Sequence, residues 1–116
     1  MVKSIENSEH YKWGNNCDGW FLLKSESLSV IKERMPPGSM EKLHYHKEAQ
    51  QLFFILSGVA NIIIDGKSFL IKENESIHIL PGLHHKIMNE TEKDLFTLLI
   101  SQPATKNDRI EVPNKI

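Results

Sequence analysis

Much that would assign a protein class is missing from this chain of 116 residues. It has a single cysteine, Cys17, so no internal disulfide can form, which fits a reducing compartment and leads us to expect a cytoplasmic protein. Long apolar runs are also missing: the longest extends only from Leu52 to Leu56, too short to span a bilayer. The opening Met1-Val2-Lys3-Ser4-Ile5-Glu6-Asn7 has neither the apolar core nor the cleavage pattern of a signal peptide. Neither sign of charge dominates, with 14 Lys+Arg against 15 Asp+Glu, so nothing pulls the chain toward nucleic acid or an anionic membrane. Internal repeats, low-complexity tracts, linkers and clear helical periodicity are absent too. A hydrophobic fraction of 40% over this length suits one globular domain across residues 1–116.

What the chain does have is strands, turns and histidines. Ser27 to Met35 alternates loosely and stops at Pro36-Pro37-Gly38, which no strand ladder can continue through. The run Gln51 to Leu56 ends at Ser57-Gly58, Val59 to Ile64 follows, and Asp65-Gly66 separates it from Lys67 to Ile71. An Asp-Gly pair between two such runs is a strong hairpin signal, because a type I′ turn needs positive φ at both central positions. The cluster of Leu22 and Leu23, set off by Ser25-Glu26-Ser27 from the next run, suits a short strand. Leu43 to His46, Ile77 to Leu80, Lys86 to Met88 and Leu95 to Ile100 read as further strands. Short strands at this spacing predict an all-β sandwich or barrel. The polar tail from about 102 to 116 reads as a surface strap.

Five of the six histidines lie between His44 and His85. In His44-Tyr45-His46 the two rings sit at i and i+2 of a strand and share a face. At about 6.7 Å between their Cα atoms, both can lean onto one ion. Gln51, Phe53 and Ile55 share a face of the next strand, so a hairpin can bring Gln51 beside the pair. Whether Gln50 or Gln51 faces inward depends on register. His84 reads as a rim residue, His78 as facing opposite to Ile77 and Ile79, Cys17 as an idle thiol, and Glu48 as a solvated turn residue. His10 carries no signal. Phe53, Phe54, Phe69 and Phe96 read mostly as core.

The spacing around these residues resembles the cupin superfamily. Five residues separate Gly38 from His44, four separate His46 from Gln51, and six separate Gln51 from Gly58. This is the order of the family's first motif, with Gln51 where glutamate is usual. The second motif is matched by Gly82, His85 and Asn89; Asn74 replaces its first glycine, and Pro81 stands one place after the expected proline. Together the motifs cover residues 38–89. The resemblance implies a cupin-like double-stranded β-helix, or jelly-roll barrel. In it His44, His46, Gln51 and His85 would converge on one divalent transition metal: iron, manganese, nickel, cobalt or zinc. All four ligands would be neutral, so the ion would keep its full charge and favour an anionic chelating ligand.

We therefore expect a small metal-dependent enzyme acting on a small polar or anionic metabolite, with oxygenase-type chemistry ranked first. The alternatives are a non-catalytic small-molecule or metal-binding module, and a sugar isomerase or epimerase. Proton-transfer chemistry ranks lower because the inward positions read as apolar: Phe53, Ile55, Ile62, Ile64, Phe69 and Ile87. A homodimer is expected as well, formed through the apolar N-terminal stretch that includes Trp13, Trp20, Phe21, Leu22 and Leu23.

Overall fold

Side chains that alternate between apolar and polar give the chain its strands, and irregular corners end each of them. The structure is a computed structural model and describes residues 1–113. The strands are β1 (Glu9–Trp13), β2 (Cys17–Lys24), β3 (Ser29–Met35), β4 (His44–His46), β5 (Gln50–Ser57) and β6 (Ala60–Ile64). They are followed by β7 (Lys67–Ile71), β8 (Ser76–Ile79), β9 (His85–Met88), β10 (Leu95–Gln102) and β11 (Arg109–Glu111). One antiparallel sheet has the order β1-β2-β3-β10-β5-β8, and the other β11-β4-β9-β6-β7. Their inner faces meet in one core, where Ile31, Phe53 and Leu99 of the first sheet pack with Ile62, Ile71 and Ile87 of the second.

The all-β class and the double-stranded β-helix arrangement agree with expectation, but the closed jelly-roll barrel does not. Among the described residues no ladder joins the two sheets, and each keeps its own edge strands. The reason lies at the corners. The chain passes between sheets through left-handed residues such as Gly58 (φ 93°) and Asn74 (φ 66°). Such residues redirect the chain from one sheet's ladder to the other's, and at Asn74 the N–H already donates to the Ile55 carbonyl of the first sheet. The hairpin at Asp65 (φ 47°) and Gly66 (φ 84°) has the positive φ values expected of it.

Two elements were not foreseen. β1 folds back on β2, with Tyr11 opposite Gly19. β11 arises from the tail read as a strap, and pairs with β4 so that Arg109 lies opposite His46. Residues 114–116 of that expected strap lie outside the described residues. Of the N-terminal aromatics, Tyr11, Trp13 and Phe21 pack against their own core. Phe53 is the buried phenylalanine, whereas Phe54 and Phe96 are half-buried and Phe69 is 40% exposed. The outer face of the six-stranded sheet is apolar where Leu52, Phe54, Phe96, Leu98 and Ile100 come together, each half-buried.

Candidate metal centre

Strand pairing builds the site. His44 and His46 leave the same face of β4, and antiparallel β9 places His85 directly opposite His44. The three rings are almost fully buried, and their ligand-capable atoms all lie within 4.8 Å of one another. The His44 and His85 ring centroids are 4.3 Å apart. Gln51 comes from the opposite sheet and is buried, whereas Gln50 turns outward to His78 and Gln102. The inward choice is therefore Gln51.

Local hydrogen bonds orient these side chains. His44 Nδ1 is 2.8 Å from the carbonyl of Lys42, and His85 Nδ1 is 2.8 Å from that of Leu83. A carbonyl only accepts, so in both rings Nδ1 carries the proton and Nε2 presents its lone pair inward. Burial holds the imidazoles below their ordinary range. His44 falls to about 4 against the upward pull of the Lys42 carbonyl, and His46 falls to about 4 with His44 and His85 adding to the effect. His85 moves in the same direction, again chiefly through burial. Buried imidazoles held toward the neutral form, two of them with Nε2 lone pairs turned inward, suit a cation.

His44, His46 and Gln51 border a cavity of about 680 Å³. Its other walls carry Glu33, Glu41, Tyr11 and Arg109. Glu33 lies on the inner face of β3 between Ile31 and Met35, all three buried. Burial, with Glu41 adding to it, raises the Glu33 carboxyl to about 8 against the opposing charge of Arg109. Glu41 is also raised, by burial first, although Arg109, His85 and the Ile87 N–H act against the shift. Tyr11 reaches the cavity by lying across Gly19, where a Cβ would sit 2.3 Å from the phenol ring. A larger groove of about 1010 Å³ runs beside the 103–108 loop and contains none of the three histidines.

Residues 31–101 match the cupin domain family model. The chain belongs to the cupin family. An uncharacterized protein of Methanocaldococcus jannaschii is 29% identical over 91 residues, covering 78% of this chain and 73% of its own. An oxalate decarboxylase of Bacillus subtilis is 33% identical over 79 residues, or 65% of this cupin, which spans only 20% of that enzyme's length. Among solved structures, a protein of Thermotoga maritima described as a predicted oxalate decarboxylase superposes with a TM-score of 0.81 at 23% identity, covering 90% of this cupin and all of that chain. At that identity the likeness concerns the fold alone.

The donors of this cupin fit a divalent transition metal. Gln51 Nε2 donates to Ser101 Oγ at 3.0 Å, which turns Oε1 toward His85 Nε2 at 3.1 Å. With the His85 proton on Nδ1, two lone-pair atoms face each other with no hydrogen between them. Two ligands held at right angles, each about 2.1 Å from one ion, are about 3.0 Å apart, close to this spacing. His46 Nδ1 is buried without a hydrogen-bond partner.

The remaining sequence candidates separate cleanly. His84 stacks on Tyr45 at 4.9 Å, away from the cluster, and His78 and Glu48 are exposed. Cys17 is buried, and burial raises its thiol, which fits an idle side chain. Asn89, a motif residue, is structural: its Nδ2 donates to the carbonyls of Met35 and Lys93, tying the β9–β10 turn to β3. The expectation of wholly apolar inward positions is corrected. Phe69 is exposed, and four polar residues that the sequence reading missed line the cavity: Glu33, Glu41, Tyr11 and Arg109. A signal existed for Glu33, which shares the two-residue period of Ile31 and Met35. None existed for Glu41, which sits in an irregular connection.

Proposed function

We propose that this cupin is a metal-dependent enzyme that holds a small oxygen-rich metabolite in the cavity and transfers a proton to or from it. His44, His46 and His85 would hold the ion, with Gln51 as a neutral fourth ligand. A bound divalent ion supplies Lewis acidity and open positions for two oxygens of the ligand. The observation that carries this reading is that the buried carboxyl groups of Glu33 and Glu41 line the same cavity as the imidazoles of His44 and His46. Glu33, raised to about 8, holds its proton at neutral pH and can give it to a ligand atom that becomes basic. Arg109, from the other sheet, also lines the cavity and can take up negative charge on that ligand.

Proton transfer therefore moves ahead of the oxygenase chemistry ranked first from sequence, because that ranking rested on an apolar interior. The names of the Bacillus and Thermotoga proteins contain oxalate decarboxylase. Decarboxylation of a small chelating acid breaks a C–C bond and then requires a proton donor at the new carbon, a role that suits Glu33.

The test is metal analysis of protein purified without chelator. Oxalate and short 2-hydroxy acids are then assayed for turnover with oxygen uptake recorded in parallel. We expect metal-dependent turnover without stoichiometric oxygen uptake, and loss of turnover in Glu33→Gln. One oxygen consumed per turnover would return the site to oxygenase chemistry. Protein that never retains metal under any loading would remove the enzyme reading.

A further inference from the structure

The four ligands of the proposed centre are all neutral, yet a carboxylate stands beside it that the cupin motif does not include. Glu41 belongs to the irregular connection before β4 and lies three residues ahead of His44. Its side chain is 8% exposed. Ile87 fixes it twice: the Glu41 N–H donates to the Ile87 carbonyl at 3.0 Å, and Glu41 Oε1 accepts the Ile87 N–H at 3.1 Å. Ile87 lies on β9, the strand that carries His85, so the carboxylate has a fixed place relative to the rings.

The other oxygen is directed at the site. Glu41 Oε2 lies 4.0 Å from His44 Nε2 and 3.5 Å from Arg109 Nη1. Because the His44 proton is on Nδ1, Oε2 and Nε2 are both lone-pair atoms with no hydrogen bond between them. A cation near His44 Nε2 relieves that opposition. Arg109 is shared with Glu111 at 3.7 Å, so it is not committed to Glu41 alone.

We propose that Glu41 supplies the negative charge that Gln51 does not, taking over from a different part of the fold the charge-balancing role of the glutamate usual at the Gln51 position. The inference rests on the metal reading above. It explains how a glutamine can stand in the motif without leaving the ion uncompensated, since a nearly buried carboxylate fixed by the Ile87 N–H and Arg109 acts strongly on a nearby cation.

The experiment measures zinc affinity by competition with a chromophoric chelator for the wild type, Glu41→Gln, Gln51→Glu and the double variant. Glutamine at position 41 keeps an oxygen for the Ile87 N–H and removes only the charge. We expect Glu41→Gln to bind zinc at least tenfold more weakly, and Gln51→Glu to restore near wild-type affinity in that background. Affinity of Glu41→Gln within twofold of wild type would overturn the inference and leave the metal reading standing. A wild type that binds no zinc would remove both. Should Glu41→Gln fail to fold, NMR of the wild type labelled with 13C-glutamate decides: the Glu41 Cδ resonance must move with the first equivalent of zinc, and a fixed resonance overturns the proposal.

Discussion

Replacing Asp108 with alanine should unfasten the loop that sets the distance between His46 and Gln51. That loop, residues 47–49, joins β4 to β5 and therefore joins the two sheets. The Asp108 carboxylate accepts the backbone N–H of Lys47 at 3.0 Å, of Glu48 at 3.2 Å and of Ala49 at 2.9 Å. In the variant the exposed amides of Lys47 and Glu48 turn to water, but Ala49 is 2% exposed and its amide has no such recourse. One buried donor left unpaired, plus two weakened charge-assisted bonds, amounts to about 2–3 kcal/mol. At roughly 2.1 cal/mol/K of unfolding entropy per residue, a chain of this length loses about 4 °C of Tm per kcal/mol, so the melt should fall by about 8–12 °C. The loss should depend on pH. Burial raises the Asp108 carboxyl, but the Ala49, Glu48 and Lys47 amides outweigh it and hold the group below its ordinary value. A carboxylate depressed in the folded state contributes stability above the unfolded pKa, near 3.9, and loses it as pH falls through the folded value. Calorimetric melts of both proteins between pH 7 and pH 3 should therefore converge toward the acid end. A Tm difference below 2 °C, or one that stays constant with pH, would refute the argument.

Other expectations can be checked by comparable means. The double variant His44→Ala, His46→Ala should lose metal retention and keep its far-ultraviolet circular dichroism, because the core is built from the apolar strands; stoichiometric metal in that protein would place the centre elsewhere. Gly19→Ala puts a Cβ 2.3 Å from the Tyr11 ring, so we expect a loss of about 1–3 kcal/mol in urea unfolding, with the tyrosine environment altered in near-ultraviolet circular dichroism. His44 and His46 are held at about 4, so the unfolded chain takes up their protons first as pH falls. Metal-free protein should accordingly lose stability between about pH 6.5 and 4, by about 3 kcal/mol per histidine at most, and the alanine double variant should show a shallower dependence. For the expected homodimer, the apolar outer face of β5 and β10 is a better contact than the N-terminal aromatics that pack inward, and sedimentation of wild type and Leu98→Lys should show dimer and monomer respectively.

The features legible in the sequence share one property: each is fixed by neighbours a few residues apart. The two-residue period of β5 and β10, the Asp65-Gly66 turn, and the common face of His44 and His46 follow from local backbone geometry. Motif spacing added His85 and Gln51, and the structure brings both to the His44–His46 pair. Glu33 was also within local reach, yet a carboxylate in an alternating strand reads as solvated until the facing layer is known, because burial of a charge is a property of both layers. Glu41, Arg109 and Tyr11 come from an irregular connection, the tail strand and the first hairpin, and only packing brings them to one cavity. The open sheets were a tertiary outcome of the same kind. A strand period states which side chains face inward, but whether edges meet depends on the accumulated twist and on corners such as Gly58 and Asn74, where the chain leaves one ladder before it enters the other.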